Sequence, residues 1–274
     1  MPELPEVENA RQVVERALGR VIAEVDDRDA FVCRPHAPGE IASALTGGRL
    51  VAAHRRGKAM WCEVEGADGE PGPPLGLHLG MSGRIIVTGP EGESASTYGG
   101  PARLGRREGD KPEWTRFTLC FDDGGELRLF DKRRLGRVRL DPDIDALGPD
   151  AGEITRAQFR ACLAASSAPL KARLLDQHAI AGVGNLLADE TLWQASLSPL
   201  RPADSLDEDA ADELRRVLRR CIRSAIRRGG VHTGEVIEHR QAGDACPRCG
   251  APMQRGTVGS RTTWWCSQEQ AADR

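Results

Sequence analysis

The fold of this chain is decided by residues 116–140, which read RFTLCFDDGGELRLFDKRRLGRVRL. Apolar residues alternate with polar ones in three short runs. The runs are separated by a turn at 122–125 and by a turn at 131–136, which is expected to be hairpin-like and to present a cluster of cations. Such alternation is typical of strands with one buried face. Five earlier runs have the same character, at 21–25, 49–55, 59–64, 75–79 and 84–88. The eight runs together predict an antiparallel β-sandwich or barrel over about 21–140.

A helix is predicted before the strands and a long loop among them. Apolar residues from Val7 to Leu18 recur at helical spacing, Pro5 suits a first turn, and Gly19 suits a stop. Residues 88–115 are rich in Gly, Pro, Ser and charge and show little periodicity. We therefore expect one helix near the N-terminus and a long exposed loop over 88–115.

The second half of the chain is predicted to be helical. Ser205 and Glu208 form a capping-box pattern, and arginines accumulate before Gly229-Gly230, which predicts a helix over about 206–228. The segment from about 240 is too small to fold without a cross-link such as a disulfide or a structural metal ion. The predicted class is therefore α+β, with an N-terminal helix plus antiparallel β-sandwich in 1–145, a helical domain in 146–238 and a small hairpin in 239–274.

Composition narrows the class of protein. The chain has 274 residues and a net charge of -3, which argues weakly against a nucleic-acid partner, but basic residues are concentrated within 128–139 and 215–228. No stretch approaches the ~18 apolar residues of a membrane span. The first residues, MPELPEVENARQ, lack the basic and apolar regions of a secretory signal. We therefore expect a cytoplasmic protein without a membrane partner.

The first residues also carry a candidate nucleophile. Met1 is normally removed before a small second residue, which leaves Pro2 with a free secondary amine whose pKa is ordinarily ~7.7–8. Attack of this amine on an aldehyde-like carbon gives a cationic iminium that accepts electrons, and Glu3 beside it is a candidate general acid. The following helix favours the neutral amine whereas Glu3 and Glu6 oppose it. The alternative is an ordinary proline-rich helix start.

Several separate motifs resemble one family. Residues 2–8, PELPEVE, resemble the signature N-terminus of the formamidopyrimidine-DNA glycosylase/endonuclease VIII family, whose members are bifunctional base-excision repair enzymes. Residues 174–190, with Gly-Val-Gly-Asn at 182–185, resemble the helix-two-turn-helix motif of that family. The resemblance extends over nearly the whole chain. It implies that 146–238 is a helix-two-turn-helix DNA-binding domain and that 239–274 is a zinc-finger-like β-hairpin.

The resemblance assigns DNA contacts in the first half of the chain. Lys58, in a basic turn, resembles the lysine that contacts a phosphate near the lesion. Without the resemblance, the alternative is a solvated lysine in a hairpin. In the tight turn 78–84, His78 is a candidate DNA contact and Met81 resembles the residue inserted where the damaged nucleotide leaves the duplex, the alternative being a core methionine. Arg133 resembles the arginine placed against the opposite base, and Leu135 stands where the formamidopyrimidine enzymes usually have Phe.

Two further contacts are assigned in the second half. Asn185 follows two glycines and is predicted to cap the next helix, so that amide donors point at a phosphate. A helix hairpin without a ligand also uses Gly and Asn. Arg261 resembles the finger arginine that contacts the phosphates flanking the flipped nucleotide.

Three cysteines suggest a metal site. Cys246, Cys249 and Cys266 have zinc-ribbon spacing, whereas the other five cysteines read as small buried hydrophobes. The family pattern predicts a fourth cysteine at 269, where this chain has Glu269. Glu269, a water or another acid completes a zinc site, or the metal is absent.

The sequence thus predicts a monomeric, nucleoid-associated DNA glycosylase with AP lyase activity, acting on double-stranded DNA with damaged bases or abasic sites. As the resemblance implies, Pro2 attacks C1′ of the sugar, Glu3 assists, and β,δ-elimination cleaves the strand. Formamidopyrimidine enzymes carry a loop that closes over 8-oxoguanine, and only a few residues separate Gly230 from Cys246 here. Oxidised pyrimidines, ring-opened purines and bulky lesions are therefore all candidate substrates, and 8-oxoguanine is a less secure one. The alternative is a DNA-binding protein of the same fold that recognises damage without catalysis.

Overall fold

All eight alternating runs form strands in the computed structural model, which describes residues 2–96, 103–104 and 111–271. Every strand pair of the first half is antiparallel. One sheet has the order β1-β8-β9-β5-β6-β7 and the other β10-β4-β3-β2. The strands are β1 Ile22–Asp26, β2 Arg49–Arg56, β3 Ala59–Glu65, β4 Pro71–His78, β5 Arg84–Thr88, β6 Ser94–Ser96, β7 Arg103–Leu104, β8 Thr115–Phe121, β9 Glu126–Phe130 and β10 Arg137–Leu140.

The inward residues of these strands form one core, which confirms the sandwich. In β3, Met60, Cys62 and Val64 are buried and alternate with more exposed neighbours. Burial raises the pKa of the Cys62 thiol to about 12, so this cysteine behaves as a small hydrophobe, as expected.

Two features of the first half were not predicted correctly. Within the expected loop 88–115, β6 and β7 extend the larger sheet, so that prediction is wrong for these residues; residues 97–102 and 105–110 lie outside the described part of the chain. A short helix, α2 Glu40–Leu45, was missed. Both features depend on pairing or packing partners that are distant in sequence, which local periodicity does not report.

Two turns carry the chain from one sheet to the other. Residues 79–83 connect β4 to β5, and residues 131–136 connect β9 to β10. The second turn was expected to be hairpin-like, and this is wrong because β9 and β10 belong to different sheets. The two turns pack together, since a Cβ on Gly80 would overlap the backbone of Leu135 and Gly136.

The remaining elements are mainly helical. The first helix, α1 Leu4–Val14, is shared: residues 3–5 form one compact unit with 145–271, and Pro2 with 6–144 forms the other. The C-terminal hairpin belongs to the same unit as helices α3–α6, and a finer division at residue 239 stays a prediction. The elements of this unit are α3 Arg156–Ala164, α4 Leu170–Leu175, α5 Asn185–Gln194, α6 Glu208–Arg228, β11 Met253–Val258 and β12 Arg261–Cys266.

The N-cap of α6 differs from the prediction. Asp207, rather than Ser205, caps the helix, because its side chain accepts a hydrogen bond from the Ala210 N–H at 2.8 Å. The capping box of this unit lies instead at Thr155 and Gln158, before α3.

No helix in the described part of the chain combines the length and apolar character that a membrane crossing requires.

Candidate functional site

Glu3 is fixed at the N-terminus of α5. Its carboxylate is 2% exposed and accepts hydrogen bonds from the backbone N–H groups of Leu186, at 2.9 Å, and Leu187, at 3.0 Å. The N–H of Leu4 donates to the Gly182 carbonyl at 3.1 Å and holds the neighbouring backbone. A Cβ on residue 184 would overlap the Glu3 carboxylate, so Gly184 is required here for space. The residue next to Pro2 therefore has a single defined position.

The same contacts correct the expectation for Asn185. Gly184 is the N-cap of α5 and Asn185 is the first helical residue, so Asn185 does not cap the helix. The N–H donors of the first turn that were assigned to a phosphate are occupied by Glu3. The buried Oδ1 of Asn185 has no hydrogen-bond partner among the described residues. The Glu3 carboxylate, rather than an external anion, therefore accepts from the N–H groups of Leu186 and Leu187.

Lys58 lies in the tight turn between β2 and β3, where Gly57 has φ 61°. The turn is braced against α1, since Arg55 Nε donates to Glu8 Oε2 at 3.0 Å and Arg11 Nη1 donates to the Ala53 carbonyl at 3.2 Å. Burial alone would raise the pKa of Glu8, but hydrogen bonds from Arg11 and Arg55 lower it, so the brace is ionic at neutral pH. The α1 helix and the Lys58 turn are therefore held in one arrangement.

Met81, Arg133 and Leu135 lie on the two sheet-switching turns. The side chain of Met81 is 43% exposed, which removes the alternative of a core methionine. The fully buried carboxylate of Asp131 binds both turns, an organising role that sequence reasoning missed although an Asp at a turn start was a signal for it. It accepts from Ser82 Oγ at 2.9 Å and from the N–H groups of Arg133 at 3.0 Å, Leu135 at 2.7 Å and Gly136 at 2.7 Å.

His78 is arranged as a neutral hydrogen-bond donor. Its Nδ1 accepts from the Gly80 N–H at 3.0 Å, so in the neutral ring the proton is on Nε2. Desolvation of the ring, followed by repulsion from Arg137, Arg139 and Lys58, lowers the pKa of His78. The ring is therefore neutral at pH 7, with Nε2–H available to an acceptor.

The three cysteines of the hairpin form one cluster. The sulfur atoms of Cys246, Cys249 and Cys266 lie within 4.8 Å of one another, which suits three ligands of one metal ion. Burial alone would raise the pKa of Cys246, but hydrogen bonds from Trp193 Nε1 and from the N–H groups of Cys249 and Arg248 lower it and favour the thiolate. Three sulfur donors at this separation are the usual ligands of a structural metal ion, so the donor set fits.

Glu269 is not brought to this cluster. Its carboxylate accepts from Arg248 Nη1 at 2.6 Å, and only its backbone N–H contacts a sulfur, Cys266 Sγ, at 3.3 Å. Among the described acidic, Cys and His residues, the metal-binding group contains the three cysteines alone. Among the described residues, the structure thus brings together three sulfur ligands, and the Glu269 carboxylate is not one of them.

Cys246→Ser is expected to reduce metal binding and to loosen the hairpin, because a segment of this size relies on its staple. We expect less metal per chain by elemental analysis and faster amide exchange in β11 and β12. Glu269→Cys is the matched variant and should tighten metal binding, because the backbone N–H of residue 269 already contacts Cys266 Sγ. Unchanged exchange in a metal-free Cys246→Ser protein would show that packing of Trp264 and Trp265 holds the hairpin.

Comparisons with known proteins agree with this geometry. Residues 1–138 match the model of the formamidopyrimidine-DNA glycosylase N-terminal domain, and residues 146–236 match that of the family's H2TH domain. A formamidopyrimidine-DNA glycosylase of Chloroflexus aurantiacus is 34% identical over 97% of this chain and 96% of its own length.

Solved structures give the same result. The Lactococcus lactis Fpg in complex with DNA containing an abasic site is similar with a TM-score of 0.77 and 26% identity over 98% of this chain and 99% of the other. The MutM (Fpg) protein of Thermus thermophilus has a TM-score of 0.75 and 33% identity over 98% of each chain. The chain belongs to the formamidopyrimidine-DNA glycosylase family.

Proposed function

We propose that this protein removes a damaged base from double-stranded DNA and then cleaves the strand at the abasic sugar. The observation that carries this proposal is the fixed position of Glu3, directly after Pro2, at the N-terminus of the helix-two-turn-helix α5. Capping of α5 accounts for the carboxylate alone, whereas iminium chemistry needs both a free proline amine and an acid fixed beside it. Residue Met1 itself lies outside the described part of the chain.

The chemistry follows from the amine of Pro2. The nitrogen attacks C1′ of the damaged nucleotide, the bond from C1′ to the base breaks, and the base leaves with the electron pair and with the proton that the Pro2 nitrogen releases. Glu3 in its protonated form then transfers its proton to O4′ as the sugar ring opens, which gives the iminium and leaves a carboxylate that accepts the C2′ proton in the next step. The iminium acidifies the C2′ hydrogen, so β-elimination breaks the C3′–O bond and δ-elimination then breaks the C5′–O bond. Lys58 supplies a positive charge for a departing phosphate.

The other matched residues hold the DNA in this proposal. His78, Asn185 and Arg261 contact phosphates, and Met81, Arg133 and Leu135 fill the space left by the rotated nucleotide. Leu135 offers less stacking area than the Phe usual in the family, so we propose a weak preference for the opposite base. Cys246, Cys249 and Cys266 would hold zinc, which supplies a structural staple to the hairpin and no chemistry at the lesion.

The segment after α6 bears on the choice of lesion. The Val236 N–H donates to Glu190 Oε2 at 2.9 Å, and Arg240 Nε donates to Asp189 Oδ2 at 2.8 Å, so the segment is docked on α5. We propose that it does not close over the base. Ring-opened purines, oxidised pyrimidines and bulky lesions are therefore the expected substrates, and 8-oxoguanine the less favoured one.

A non-catalytic damage-binding protein of the same fold is the second candidate, favoured by Leu135 and by the missing fourth cysteine. Borohydride treatment with abasic-site DNA distinguishes the two, because only the iminium is reduced to a stable covalent complex. A covalent complex on Pro2 supports the lyase. DNA binding without any covalent complex supports the binding protein. We further propose that the enzyme acts as a monomer on chromosomal DNA in the cytoplasm.

Binding to duplex DNA should weaken steeply with salt although the net charge is -3. Each phosphate neutralised by a side chain contributes about 0.9 to the slope of log affinity against log salt. Lys58→Gln should lower this slope by about one such step, and Lys111→Gln, at an exposed lysine outside the turns assigned to DNA, is the matched control. Fluorescence anisotropy between 50 and 200 mM salt, a range of ~4-fold suited to such slopes, measures it. A flat response for the wild type would argue for a protein partner.

A further inference from the structure

A buried ion cluster joins helices α4 and α5 to the hairpin. Lys171, in α4, is 0% exposed, and its Nζ lies 2.7 Å from Asp189 Oδ1 in α5, which is 1% exposed. The second carboxylate oxygen of Asp189 accepts from Arg240 Nε at 2.8 Å. Sequence reasoning assigned no role to these three residues.

All contacts of the cluster with the hairpin fall on three consecutive residues of β12. Lys171 Nζ donates to Thr263 Oγ1 at 2.8 Å and to the Thr262 carbonyl at 3.2 Å. The N–H of Trp264 donates to Asp189 Oδ2 at 3.4 Å. These residues directly follow Arg261, the first residue of β12.

Burial of such charges requires a reason other than stability. Desolvation lowers the pKa of Lys171 and raises that of Asp189, and their mutual attraction and Arg240 only partly offset it for Asp189. Apolar residues of similar volume often stabilise a protein at least as well as a buried ion pair. An ion cluster adds a fixed position, because the hydrogen bonds of Lys171 Nζ and Asp189 Oδ2 to residues 262–264 require one register of β12.

We propose that Lys171, Asp189 and Arg240 are positioning residues for Arg261. They hold the start of β12 on α4 and α5, so that the Arg261 guanidinium meets a DNA phosphate without further ordering of the strand. The inference rests on the proposed function, in which Arg261 contacts phosphate. Cys266 is at the opposite end of β12, roughly 16 Å away at ~3.3 Å per residue, so the cysteines control the other end.

The test is a double-mutant cycle of affinity for a duplex that contains a tetrahydrofuran abasic analogue. Lys171→Met, Arg261→Ala and the double variant are compared in equilibrium titrations. If Lys171 acts through Arg261, Lys171→Met weakens binding in the wild type and has no further effect once Arg261 is absent. Lys171→Met also lowers the salt slope by about 0.9, although buried Lys171 cannot contact phosphate itself.

Arg160→Met is the matched control, since the ion pairs of Arg160 among the described residues are with Asp212 and Glu208 of the same unit and not with β12. It should leave both the affinity and the salt slope unchanged. Arg240→Met, at a half-buried site, replaces Lys171→Met if the latter does not fold. It should also be non-additive with Arg261→Ala, with a smaller loss of affinity than Lys171→Met.

Additive losses, or a salt slope that Lys171→Met and Arg240→Met leave unchanged, would overturn the inference. So would an Arg261→Ala protein that binds as tightly as the wild type. These outcomes are distinct from failure of the proposed function, because that failure appears as a wild-type protein that binds DNA without forming a borohydride-reduced complex.

Discussion

Protein that retains Met1 is expected to form no borohydride-reduced complex with abasic-site DNA, whereas processed protein forms one. The amine of Pro2 is then an amide and cannot attack C1′. The terminal amine now belongs to Met1, one residue before the position at which Glu3 is fixed beside the nucleophile, so it is not aligned for attack on C1′. Expression with methionine aminopeptidase inhibited provides the unprocessed chain, and gel analysis after reduction gives the yield.

The control for this experiment is DNA affinity. Lys58, Asn185 and Arg261 are unaltered in the unprocessed chain, so affinity for a tetrahydrofuran-containing duplex should be retained. Mass spectrometry identifies the state of the N-terminus in both preparations. An intact Met1 in a protein that is fully active would contradict Pro2 as the nucleophile.

Glu3→Gln is expected to slow excision of intact damaged bases by about 10²–10⁴-fold, the usual contribution of general acid–base catalysis. The amide keeps one oxygen for the two N–H groups of Leu186 and Leu187, so one donor loses its acceptor and capping of α5 weakens by about 1 kcal/mol. Binding to abasic-site DNA should persist. Single-turnover excision rates measure the first effect and thermal unfolding the second.

Gly184→Ala tests whether the position of the Glu3 carboxylate matters separately from its ability to transfer a proton. It leaves the Glu3 carboxylate intact but removes the space that the carboxylate occupies, because the new Cβ overlaps it. Excision should fall in this variant as well. Wild-type excision rates in both variants would remove Glu3 from the mechanism, whereas a loss in Glu3→Gln alone would show that the exact position of Glu3 matters less than its proton.

The strands were predictable because alternation along a strand directly reports which face is buried, as at Met60, Cys62 and Val64. Which sheet a strand joins is not encoded locally, so the turn before β10 was misjudged. Asn185 was wrongly predicted as a cap for a similar reason. The group that takes the α5 donors, Glu3, is separated from them by 183 positions, and no local pattern reports such a pairing. Motifs thus identified candidate residues, whereas their partners required the structure.

That separation has a consequence for biosynthesis. At ~5–20 residues per second, the N–H groups that fix Glu3 leave the ribosome about 9–37 s after Glu3 itself. Throughout this interval a nascent chain has a reactive terminal amine without its placed carboxylate. Prematurely terminated chains that end before residue 186 share this state. In the proposed mechanism, base excision that depends on a placed Glu3 therefore requires a polypeptide whose translation has passed the helix-two-turn-helix segment.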